Sequence, residues 1–265
     1  MTAIAYPVLT GVVRGQRRPL TLWGLAVGAV TAVYVGFFPA IGGDEMASLV
    51  DGLPAGFVEA LGYDQLGTAA GYIESTLFGL MAAILLTVFA IGLGARLIAG
   101  HEEDGTLELE LTAPVRHRRQ YIERLAALWL STLMLTTAVS AIIGILAVAF
   151  SLDISPGNLI AATIGLLLLV LGFGTVAFAV GAATGRRAIA LGTSAGMAVT
   201  AFMLNAIGPT VDVGWMTAIS PWSWFIDSSP LIKGWDLQGL LLLAALPVVA
   251  AVAGLAGVRR RDLMV

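Results

Sequence analysis

The 265 residues contain no cysteine, a single lysine and two histidines. Without cysteine there is no disulfide scaffold, no thiolate metal site and no thiol nucleophile. Charge is scarce too: 12% of side chains are charged, against roughly 25% in soluble domains. Hydrophobic residues make up 58% of the chain, and the mean hydropathy is +0.92. Such a chain cannot cover itself with polar groups, which excludes a soluble enzyme of ordinary kind. The run His101-Glu102-Glu103-Asp104-Gly105 begins like a zinc-protease H-E-x-x-H, but Gly105 stands at the second histidine position. A phosphate-binding P-loop needs Gly-Lys-Ser/Thr, whereas the lone Lys233 precedes Gly234. No cofactor site is therefore expected on this chain, and nothing in it suggests a nucleic-acid partner.

What is present is length in apolar runs. A spanning helix needs about 20 mostly apolar residues, because backbone groups in lipid must be paired internally. Six runs qualify, over 20–40, 75–99, 125–150, 159–183, 188–208 and 239–258. The predicted fold is an all-α integral membrane protein forming one domain over 1–265. Thr184-Gly185-Arg186-Arg187 separates the fourth and fifth spans by a tight hairpin. The first run is longer than the roughly 7–15 residues of a signal-peptide core and lacks an A-x-A cleavage pattern, so it is read as a span.

Basic residues set the orientation. Thirteen of the fourteen, all arginines, fall on one side of the six spans, and only Lys233 falls on the other. That side, with both termini, is expected to be cytoplasmic. Asp44, Glu45, Asp51, Glu59, Asp64, Glu74, Asp153, Asp212, Asp227 and Asp236 are assigned to the opposite side. No Asp, Glu or His stands in the middle of a span, which excludes a carboxylate dyad and a proton relay. Energy for any transport would then come from elsewhere.

Three segments outside the spans carry information. Residues 1–19 place Ile4, Val8, Leu9, Val12 and Val13 on one stripe ahead of Arg14, Arg17 and Arg18. That is the pattern of an interfacial amphipathic helix, the alternative being a frayed tail. Residues 209–238 hold four of the six tryptophans and read as short helices or a re-entrant element at the headgroup level. They fit a lid over a path or an anchored loop. Small-residue pairs four apart, at Gly24/Gly28, Ala177/Gly181/Gly185 and Gly192/Gly196, permit close helix approach, within the bundle or between protomers.

The third segment is the loop over 100–122. Acids at Glu102, Glu103, Asp104, Glu108 and Glu110 precede arginines at Arg116, Arg118, Arg119 and Arg124. Leu107, Leu109 and Leu111 alternate with acids, as a strand would, yet a lone strand has no partner. A short interfacial helix ending before Pro114 fits equally, with Pro114 in the first turn of the next helix. A charged, protruding element of this kind is one that a soluble partner can grip; a solvated loop obeying the positive-inside rule is the plainer account.

The run Glu102-Glu103-Asp104-Gly105-Thr106-Leu107-Glu108-Leu109 through Leu111, Pro114 and Arg116 resembles the ABC-2 permeases, the transmembrane subunits of ABC exporters. Phe38-Pro39, Ser220-Pro221-Trp222 and the closing Arg259-Arg260-Arg261-Asp262-Leu263 support the likeness in the right order along the chain. The resemblance implies a non-catalytic subunit with both termini in the cytoplasm of a plasma membrane, mainly prokaryotic. Its ATP and Mg would sit on a separate nucleotide-binding subunit, and a second permease copy or paralogue would complete the path. Residues 1–19 would be the elbow helix, and 209–238 would supply short external helices. Glu102, Glu103, Asp104, Gly105, Thr106, Leu107, Glu108, Leu111, Pro114 and Arg116 would contact the ATPase subunit. The second and fifth spans would line the path, with Phe89, Phe202, Met203 and Asn205 as cavity candidates. Glu110 departs from the leucine of many relatives, a change that would alter the coupling surface. A nucleotide-independent transporter or channel, or a membrane scaffold, is the alternative.

Overall fold

The computed structural model describes residues 15–41, 48, 51–53, 58, 65–100, 117–211 and 213–262. Among these, the regular structure is helical throughout. Helix α1 covers Arg17–Ile41, so the last residues of the expected elbow segment already belong to the first span. The second span runs from Ala69 to Gly100 in four parts: α2 (Ala69–Ile73), a π-helical stretch (Glu74–Met81), α3 (Ala82–Ala95) and a π-helical turn (Arg96–Gly100). Helix α4 is His117–Ala149, α5 is Pro156–Thr184 and α6 is Arg187–Ile207. Three short helices follow, α7 (Gly214–Ala218), α8 (Pro221–Ile226) and α9 (Pro230–Lys233), before α10 (Leu237–Asp262). Six helices are thus long and apolar enough to cross a membrane.

The boundaries follow local chemistry. The second span begins six residues ahead of its apolar run, because Thr68 caps it: Gly71 N donates to Thr68 Oγ1 at 3.1 Å. Glu74 is thereby carried into the helix, where it is buried near one end, rather than lying in a connecting segment. Helix α5 starts on Pro156, whose missing N–H costs nothing in a first turn. It ends at Gly185, in the left-handed conformation with φ 65°. Gly185 and Arg186 alone separate it from α6, the tight hairpin expected. At 33 residues, α4 is roughly 50 Å long, well over the hydrocarbon thickness of about 30 Å. Its polar opening, His117 to Arg124, forms the surplus.

Helix α5 is the post of the bundle. It packs against the second span, α4, α6 and α10, as well as the short helices α8 and α9. Sixty-one per cent of its most apolar stretch is buried, and 67% of the second span's, against 17% for α1 and 22% for α10. Between membrane helices there is little hydrophobic drive, so contact depends on backbones coming close. Glycines on α5 provide the room. A Cβ on Gly172 would stand 2.6 Å from Leu246 of α10, one on Gly165 2.7 Å from Phe225 of α8, and one on Gly174 2.9 Å from Ala90 of α3. Across the same crossing, a Cβ on Gly94 would collide with the Gly174 carbonyl. Gly24 and Gly28 face Leu135 and Ile142 of α4, and Gly181 faces Ala99 and Ala190. Those small-residue groups serve internal packing, whereas Gly192 and Gly196 meet nothing within 4 Å.

This contrast is testable by alanine substitution. Gly94→Ala should destabilise the detergent-solubilised protein by about 1–3 kcal/mol, the usual cost of overpacking. Gly192→Ala should leave the melting temperature unchanged or raise it, since alanine is the better helix former.

Candidate functional site

Two ends and one face of this bundle bear on function. The segment 101–116, with Glu102, Glu103, Asp104, Gly105, Thr106, Leu107, Glu108, Leu111, Pro114 and Arg116, lies outside the described residues, as do residues 1–14 of the expected elbow helix. The base from which the 101–116 loop springs is described. On one side stands the closing π turn of the second span, on the other the first two turns of α4. Arg124 Nη1 donates to Leu97 O at 2.7 Å across that base, and the pair is buried. One turn earlier, Arg119 Nε donates to Glu123 Oε1 at 2.7 Å; Glu123 is buried and Arg119 half in solvent. Tyr121 Oη donates to Ala251 O of α10 at 2.8 Å, and its ring lies 5.0 Å from that of Phe178 in α5. The stem of Arg187, at the start of α6, lies beside Gly100 and Arg96. Elements distant in sequence therefore converge on the loop's base.

The opposite end is closed by α7–α9. Trp222 and Phe225 of α8 and Leu231 of α9 are buried, so this segment plugs back into the bundle. Each contact uses a polar group that lipid would leave unsatisfied. Ser220 Oγ donates to Ala201 O of α6 at 2.7 Å, and Trp222 Nε1 to Gly79 O of the second span at 3.3 Å. Leu231 N donates to the Glu74 carboxylate at 3.1 Å. Asn158 Nδ2, at the start of α5, donates to Leu231 O and Ile232 O. Gly234, at φ 88°, turns the chain away against Asn158. Beside this plug a groove of ≈ 610 Å³ is lined by Phe38, Thr68, Asp153, Ser155, Asn158 and Leu231, among others. Among the described residues, no three His, Asp or Glu side chains gather as a metal-binding group.

The four cavity candidates differ in exposure. Phe89 is buried in the second span, edge-on to Trp23 of α1 with ring centroids 5.6 Å apart. Phe202 is half-buried and edge-on to Trp222 at 5.5 Å. Asn205 is buried, while Met203 is exposed. The open faces of the two spans are otherwise composed. Ile84 and Val88 are exposed in α3, and Gly92, one turn further, has nothing within 4 Å. On α6 the open surface carries Gly192, Thr193, Gly196, Val199, Thr200 and Met203. Threonines and glycines on an unpaired spanning face are unlike a surface made only for lipid. Apolar and small residues occur on the open and the packed faces of both helices alike, so residue type alone does not reveal which stripe is left open. Arg124 and Glu74 also escaped the sequence reading, since each sits at a span's edge, where a charge ordinarily faces water.

Six spanning helices, one of them a glycine-notched post, with a plug at one end and a buried-arginine base at the other, define a multi-pass membrane protein. The profile of the family described as "ABC-2 family transporter protein" matches residues 13–224. The match covers most of the chain, and this chain belongs to that family. None of the curated proteins compared matches it significantly.

The Tyr121 tie can be checked directly. Tyr121→Phe removes the bond to Ala251 and should cost about 0.5–1.5 kcal/mol, nearer the lower value between membrane helices. Gly254→Ala should cost more, because its Cβ would fall 2.5 Å from Tyr121 Oη. Thermal unfolding of both variants in one detergent decides the order.

Proposed function

We propose that this chain is the permease subunit of an ATP-driven ABC exporter, working beside a second permease copy or paralogue. ATP and Mg bind a separate nucleotide-binding subunit, whose closure pushes the 100–122 loop and switches the path between the two sides of a plasma membrane. Thirteen arginines on one side of the spans argue that this side, with both termini, is cytoplasmic. Residues 1–19 act as the elbow helix, and α7–α9 lie outside. A lipophilic drug, peptide or lipid is the cargo class that such apolar spans suit.

One observation carries the reading: family membership over residues 13–224 in a chain that has no P-loop of its own. The absence of a midplane carboxylate or histidine adds to it, since an ion-coupled carrier ordinarily places one there. The open faces of the second span and α6 supply surface for a second permease, with Met203 on the open side.

Purification of the tagged chain from native membranes in mild detergent tests this. A P-loop protein should follow in near-equimolar amount, and the complex should hydrolyse ATP. Recovery of the chain alone, under conditions that preserve other membrane complexes, would sink the proposal in favour of a self-sufficient transporter or a scaffold. Within the complex, Glu103→Gln and Arg116→Gln should leave assembly intact while ATP hydrolysis loses its link to transport. Transport at the parent's rate in both variants would remove the loop from the mechanism.

A further inference from the structure

Arg124 is the most deeply buried charged side chain among the described residues, with 3% of its surface exposed. It stands two turns into α4, past the solvent-facing arginines, and reaches back across the base of the 101–116 segment to Leu97 O. Leu97 belongs to the π turn that ends the second span at Gly100. A backbone carbonyl has two acceptor sites, and carbonyl dipoles near the C-terminal end of a helix favour a nearby cation. A guanidinium taken out of water is tolerated where its donors are used. Arg124 Nη1 has that use at Leu97 O, whereas Nε is buried without an acceptor, so the charge depends on the end of the second span for the bond it does make.

The consequence is mechanical. The last described turn of the second span, Arg96–Gly100, has the wide i→i+5 pattern rather than the α pattern. Such a turn interrupts the regular i→i−4 ladder. The Arg124–Leu97 bond braces it from outside, joining the start of α4 to the span three residues before Gly100. Glu123 and Arg119 stiffen the same turn of α4, and Tyr121 fastens it to α10.

We propose that Arg124 is the positioning residue for coupling: it makes the neighbouring ends of the second span and α4 move as one body with the loop, so that displacement of the loop reaches the second span. The inference rests on the proposed ATPase-driven function and adds to it the residue through which force passes.

The chain has no native cysteine, so Val88→Cys puts a single thiol on the open stripe of the second span. The complex with its co-purified ATPase subunit, in lipid nanodiscs, is labelled with a fluorescent maleimide, without nucleotide and with Mg-ATP plus vanadate. The permease band is then read separately on a gel. With Arg124 present, the labelling rate should swing several-fold between the two conditions. In Arg124→Gln most of that swing should vanish while the ATPase subunit co-purifies in the same ratio. Arg124→Lys keeps the charge but loses the fork, and should fall between the two. A purely structural role would alter yield and melting temperature without this graded loss. Either variant, once assembled, showing the full swing overturns the inference, so Arg124→Lys decides alone if Arg124→Gln does not assemble. A parent complex that hydrolyses ATP yet shows no swing at Val88 also overturns it. Failure of any ATPase to co-purify with the parent strikes the proposed function instead, which keeps the two failures distinct.

Discussion

The contacts at the centre of this bundle depend on α5 being thin where others press against it. Lipid tails solvate leucine as well as a neighbouring helix does, so apolar side chains do not by themselves drive membrane helices together. What remains is van der Waals contact at short range and the few hydrogen bonds that lipid cannot replace. Gly165, Gly172, Gly174 and Gly181 lie along α5, and each receives a different neighbour: α8, α10, the second span, and the junction of the second span with α6. The Gly94–Gly174 crossing is the tightest of these, bringing backbone against backbone. Polar ties then fix what the glycines permit. Trp129 Nε1 donates to Thr175 Oγ1, Thr163 Oγ1 to Ser140 Oγ, and Ser194 Oγ to Phe173 O, so α4 and α6 are each bonded to the post.

The second span is held differently. It has two π-helical stretches, and each offers a carbonyl to a side chain from elsewhere. Gly79 O receives the Trp222 indole and Leu97 O the Arg124 guanidinium. A π turn widens the helix and re-aims its carbonyls, so the two irregular stretches and the two outside donors belong together. The span is regular in the middle, where it crosses α5, and irregular at both ends, where it meets the plug and the loop base. Such an element can be rigid against the post and still change register at its ends.

The sequence showed most of the architecture because the bilayer asks for something easily read. About 20 apolar residues with charges only at the ends is a demanding pattern, and each of the six runs falls on a helix long and apolar enough to span. The second spanning helix begins six residues ahead of its run and the third eight residues ahead. Where a boundary moved, a polar residue explains it: Thr68 as a cap drew the second span outward and took Glu74 with it. The tryptophan-rich segment between the fifth and sixth spans reads as short helices or a re-entrant element, and it forms short helices, two of them opened by Pro221 and Pro230. Which face of each span is buried was not legible. Helices apolar all round carry no stripe, and the burial of Phe89 against Trp23, or the openness of Ile84 and Val88, follows only from the three-dimensional arrangement. The loop-base tie was invisible for a related reason: nothing in sequence marks Arg124, rather than Arg118 or Arg119, as the one turned inward.

That inward turn is informative about what the loop is for. A loop that needed only to satisfy the positive-inside rule would keep all its arginines in water, where each costs nothing and attracts anionic headgroups. Burying one is expensive, and here Nη1 is used on Leu97 O while Nε is buried without an acceptor. Arg118 and Arg119 take the inexpensive position; Arg124 does not. The bond it makes adds no specificity for cargo and touches no open face of the bundle. What it does is tie two spans together at the point where a charged segment leaves one and joins the other. Under the proposed function, a tie placed there would resist being pulled apart by force arriving through that segment, a requirement a merely solvated loop does not have.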